Sequence, residues 1–98
     1  MTLADIYEGR GFGSYVVASV LNRNEEGYPD NLSFKQTCES YEEAVKARER
    51  LIGEDIIICP PFKSGAEVPP RETADYFRAY FGNFVGVQKP WIRWSIKL

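Results

Sequence analysis

The chain contains no histidine. That absence removes the commonest general base and the commonest metal-binding side chain together. Ser–His and Cys–His nucleophilic catalysis have no base to work with. Cysteine is scarce as well: Cys38 and Cys59 stand alone, with 20 residues between them and without metal-ligand spacing. They read as reduced thiols of a cytosolic protein, with a disulfide between neighbouring strands as the alternative. No apolar run exceeds five residues, far short of the roughly 20 that a membrane helix needs. The opening MTLADIYEGR carries acids where a secretory leader carries positive charge and then an apolar stretch. These absences set the first expectations: a soluble, cytoplasmic, non-enzymatic protein with no catalytic site, no cofactor, no metal and no membrane partner.

What is present describes one domain, residues 1–98. The hydrophobic fraction is 44% and the charged fraction 27%, ordinary values for a globular chain. Six Tyr, six Phe and two Trp give a small core unusual reach, because each ring buries about 150–250 Å². Residues 14–22, SYVVASVLN, have the β-branched and aromatic content of a strand. RNEEGYPDN (Arg23 to Asn31) gathers Gly27, Pro29, Asp30 and Asn31 into a loop. LSFKQTC then alternates, with Leu32, Phe34 and Cys38 expected toward the core and Ser33, Lys35 and Thr37 toward water. These two segments should form a hairpin.

SYEEAVKARERLIG is the clearest helix. Ser40 with Glu43 three residues on makes a capping box, and Tyr41, Ala44, Val45, Leu51 and Ile52 fall on one face, crossed by the Arg48 stem. Glu42 and Glu43 sit in the first turn as the helix dipole prefers, and Gly53 supplies the stop. DIIIC (Asp55 to Cys59) reads as a strand buried on both faces, ending at Pro60-Pro61. The following PPFKSGAEVPP is bracketed by proline pairs and is expected to stay out of regular sheet pairing. A second helix is expected from about Arg71 to Phe81, with Ala74, Phe77 and Phe81 on its core face. WIRWSIKL closes the chain as a strand, with Ile92, Trp94, Ile96 and Leu98 on one face and Trp91, Arg93, Ser95 and Lys97 on the other. The order β-β-α-β-α-β predicts an α+β fold, a mixed or antiparallel sheet packed against two helices on one face.

GRGFGSYVV invites comparison with the RNA-recognition octapeptide, since Arg10, Gly11, Phe12 and Gly13 match its start. Ser14 stands where the base-stacking aromatic belongs, and Tyr15 arrives one residue late, which turns it to the other face of a strand. Nine residues also leave no space for the strand, helix and strand that precede this motif in that fold. A phosphate-binding loop fails too, because these glycines precede a strand and not a helix. They read as a turn. TCESYEEAVKA is similar to the strand-to-helix junction of AP2-type and integrase arm-binding domains. Those domains read DNA from basic and aromatic strands, whereas Glu25, Glu26 and Asp30 here would repel phosphate, so that family is set aside.

The distinctive feature is a split of charge. Residues 1–75 hold eight basic and fourteen acidic side chains, a balance of −6, whereas residues 76–98 hold Arg78, Lys89, Arg93 and Lys97 and no acid. The same final segment carries seven of the aromatics: Tyr76, Phe77, Tyr80, Phe81, Phe84, Trp91 and Trp94. Trp, Tyr and Arg are the anchors of protein interfaces. The expected function is therefore a small non-catalytic interaction or regulatory protein that binds a protein partner through Tyr76, Tyr80, Lys89, Trp91, Arg93 and Lys97. A single-stranded nucleic-acid-binding module using the same surface is the alternative, since cations and stacking rings also serve that ligand.

Overall fold

Strand β1, Tyr15–Arg23, is the axis of the fold. Five consecutive side chains, Tyr15 to Ser19, are buried, the pattern of a strand covered on both faces. In the computed structural model, which describes residues 1–3, 5, 6, 13–51, 53, 55–61, 63, 65–69, 77, 95 and 96, β1 lies between β2 (Pro29–Cys38) and β3 (Ile56–Cys59), antiparallel to both. Helix α1 spans Tyr41–Glu49. With the antiparallel sheet it makes an α+β architecture.

The hairpin forms as expected, but its loop is tighter. Pro29, Asp30 and Asn31 belong to β2, which proline tolerates as a strand's first residue. The turn closes over Asn24 to Tyr28: the Asn24 side-chain oxygen accepts the N–H groups of Glu26 and Tyr28 at 2.9 and 3.0 Å. Gly27 takes φ +89°, a conformation that costs glycine least. Arg23 then fastens the turn to the body. Its guanidinium grips the Asp55 carboxylate at 2.8 and 3.0 Å and donates to the Gly27 carbonyl. That grip lowers the Asp55 carboxyl below its ordinary value.

Register explains where the expected core face fails. Val17 pairs with Gln36 and Ala18 with Phe34, so Lys35 is an extra, bulged residue. One extra residue reverses the facing of the strand beyond it. Leu32 consequently packs with Val16, Ala18, Ile57 and Cys59, whereas Cys38 packs with Tyr15, Val17 and Ile58 on the other face. The expectation of Leu32, Phe34 and Cys38 on one face is corrected accordingly. The pairings Val20↔Leu32, Asn22↔Asn31 and Arg23↔Pro29 likewise leave Leu21 and Asp30 as extra residues. Leu21 is turned outward and is 61% exposed.

The two faces have different covers. Ala44 and Ala47 of α1 lie buried against the Tyr15–Val17–Cys38–Ile58 face, with Tyr41, Val45 and Leu51 half-buried around them. Small side chains let the helix approach the sheet closely, and Ala47 joins the expected face. Ser40 accepts the Glu43 N–H at 3.2 Å, while the Glu43 carboxylate accepts from the Glu39 N–H, one residue before the cap. The opposite face is covered by Leu3, Ile6, Val68 and Phe77. Leu3 and Ile6 come from a helical turn that sequence reading passed over, closed by reciprocal bonds between Thr2 and Asp5. Phe77 is buried as expected for the second helix, but in the cluster across the sheet from α1. The other residues of the expected second helix lie outside the described residues.

The proline-bracketed segment does pair. Glu67–Val68 forms β4, parallel to β5, Ser95–Ile96, and the Ser95 N–H donates to the Ala66 carbonyl at 3.0 Å. Prolines 60, 61 and 69 flank this stretch without interrupting it, so the N–H groups of residues 66–68 remain in place. Gly65, at φ +85°, turns the chain into β4. The described strands therefore make two sheets rather than one.

Both cysteines are free and buried. They sit on opposite faces with β1 between their strands, a separation of about 9–10 Å in the pairing direction that no disulfide bridges. Burial raises both thiols, and Glu43 adds to the rise at Cys38. A thiol reagent should therefore leave both cysteines unmodified in native protein and titrate two in denaturant, with or without prior reduction. Ile58→Ala, which empties a fully buried site between sheet and helix, should cost about 2–5 kcal/mol in urea unfolding. Leu21→Ala should stay within about 0.5 kcal/mol of wild type.

Candidate functional site

Every residue of the expected partner surface, Tyr76, Tyr80, Lys89, Trp91, Arg93 and Lys97, lies outside the described residues. Two other residues of the same expected elements are described. Ser95, assigned by alternation to the same face as Trp91, Arg93 and Lys97, is exposed. Phe77, assigned to the core face of the second helix, is fully buried.

A second site is built within the described residues. Two neighbouring clefts of about 280 and 400 Å³ form a two-part furrow, with Tyr41 and Glu67 lining both parts. One wall is the flank of α1, where Tyr41, Val45 and Glu49 recur at helical spacing with Glu42 and Lys46 beside them. The other wall is the loop from Pro61 through Lys63 and Gly65 to Glu67. Gly13, Glu39 and Ser40 close the end nearer the start of β1.

Tyr15 holds these walls together. Its ring lies 5.9 Å from that of Tyr41 at 57°, the tilted arrangement that aromatic quadrupoles favour. Its hydroxyl donates to the Glu67 carbonyl at 2.7 Å. One side chain thus supports the furrow floor and fixes the loop across from it. Burial, and then the negative charge of Glu67, hold the Tyr15 phenol above its ordinary value.

Sequence reading did not find this furrow. Tyr41 and Val45 were legible as partly apolar positions of α1, but the opposing loop is brought in by the Tyr15 bond and the β4–β5 pairing, which are long-range contacts. Among the described residues, no group of three or more Cys, Asp or Glu side chains could hold a metal ion, and no helix is long and apolar enough to cross a membrane.

The Tyr15 bond has a pH signature. A phenol whose folded pKa lies above its unfolded value stabilises the fold fully below about pH 10 and loses that contribution as pH rises through the folded pKa. Tyr15→Phe should cost about 1 kcal/mol at neutral pH, the worth of one hydrogen bond. It should also flatten the alkaline decline in stability, measured by urea unfolding at neutral pH and above pH 10.

Compared with protein families, curated proteins and solved structures, the chain matches none.

Proposed function

We propose that this protein is a small non-catalytic interaction protein that docks a protein partner through its C-terminal aromatic-basic surface. The reading is carried by the composition of residues 76–98: four cations, no acid and seven aromatics, set against a balance of −6 in the rest of the chain. The sequence pattern expects Tyr76 and Tyr80 on one face of a second helix, and Trp91, Arg93 and Lys97 on the outer face of a last strand with Ser95. The exposure of Ser95 and the burial of Phe77 support that division between surface and core. Interfaces concentrate their energy in such Trp, Tyr and Arg anchors.

The test is affinity purification from the native host with wild-type protein and Arg93→Glu. A partner retained by the wild type should lose about 2 kcal/mol or more of binding to the variant, roughly thirtyfold, with an unchanged melting temperature. Unfolding of Arg93→Glu would remove the outer-face assignment, and equal retention would remove the surface. Titration of Trp91 and Trp94 fluorescence with oligothymidylate separates the nucleic-acid alternative. Quenching whose log affinity falls with log salt at a slope of about −2, as three phosphate contacts give, would replace the protein-partner reading.

A further inference from the structure

The furrow between α1 and the 61–67 loop is a different surface from the C-terminal one, and its chemistry is specific enough to name a ligand. We infer that it docks an arginine-bearing basic segment of a partner protein. Tyr41 lines both clefts and is braced from within by Tyr15, so a half-buried ring of fixed tilt forms the waist of the furrow. Carboxylates line the furrow on both sides of that ring: Glu39 and Glu67 in one cleft, Glu42, Glu49 and again Glu67 in the other. Among the described lining residues Lys46 and Lys63 are the cations, against four glutamates. In the first turn of α1 the Glu43 N–H is already taken by the Ser40 hydroxyl.

An aromatic plane among carboxylates suits a guanidinium better than an ammonium. The guanidinium is planar, stacks on rings and meets a carboxylate with two parallel N–H groups. Spacing sets the length of the ligand. Glu42 and Glu49 are seven residues apart on α1, roughly 10.5 Å along the helix axis, and three steps of a polyproline II segment reach about 9 Å while returning the side chain to the same face. Two arginines three residues apart therefore match them. The loop opposite is already held by the Tyr15 hydroxyl and by the Ser95–Ala66 bond, which lowers the ordering cost of binding.

The probe is the peptide acetyl-Gly-Arg-Gly-Gly-Arg-Gly-amide, added to isotope-labelled full-length protein and followed by amide chemical shifts. The expected result is saturable shifts confined to residues 41–49 and 63–67, weakened by salt. They should be lost when neutral citrulline replaces both arginines. Glu42→Gln with Glu49→Gln changes two exposed side chains and should leave the melting temperature unchanged while weakening binding about tenfold, the effect of two exposed charge contacts. No shifts at low millimolar peptide would overturn the inference, as would shifts that survive the citrulline exchange or the double variant, or shifts confined to other residues. Because Arg93→Glu alters no furrow residue, the outcome is read independently of the C-terminal surface.

Discussion

The fold depends on β1 being paired along both edges and covered on both faces. A strand in that position must place an apolar side chain at every residue, because neither face meets water. Tyr15 to Ala18 meet the demand, and Ser19 is the buried polar residue that follows them. Each neighbour inherits its place from β1: β2 and β3 take its two edges, α1 takes one face, and Leu3, Ile6, Val68 and Phe77 take the other. Two small clusters, one on each face of the sheet, make up the core. The continuous apolar run of β3, Ile56 to Cys59, serves both clusters for the same reason.

The bulges reconcile this two-sided core with a ten-residue partner strand. β2 has too few apolar residues to serve one face along its whole length. By skipping Lys35, it gives Leu32 and Phe34 to one cluster and Cys38 to the other. Bulges also increase local twist and bend the strand that carries them. Beyond Ser19 the hairpin continues past the last residues paired with β3, and Arg23 fastens it back to Asp55. An exposed ion pair adds at most about 1 kcal/mol. Its second bond, to the Gly27 carbonyl, gives it a geometric role as well, because the turn and the start of β3 are held by one side chain.

Local chemistry was legible in the sequence, and long-range closure was not. Helix α1 could be read because Ser40 and Glu43 meet within one turn. The hairpin and β3 could be read because alternation and a four-residue apolar run survive in any context. Nothing in SFKQT marks Lys35 as the skipped residue; both faces of β1 must be known before that choice makes sense. The pairing of Glu67–Val68 was hidden because prolines dominate the composition of its segment while avoiding the paired positions. Thr2 and Asp5 form a capping arrangement that the sequence does display, and with Leu3 and Ile6 it could have announced a buried turn. The furrow joins residues 13–15, 39–49 and 61–67. No window of sequence contains it.

Tyr15 connects the two scales. Its ring belongs to the core cluster under α1, and its hydroxyl belongs to the loop. A phenylalanine would fill the core equally well, so the hydroxyl is explained by the Glu67 carbonyl it satisfies. That bond anchors β4 to β1, and β4 pairs with β5. The loop therefore reaches the sheet by one route and the C-terminal strand by another. Pro61 and Pro69 restrict φ near its two ends, and the Tyr15 and Ser95 bonds hold Glu67 and Ala66 between them. A wall anchored this way would lower the ordering cost of the proposed binding of a planar, two-pronged cation, adding to the contribution of charge.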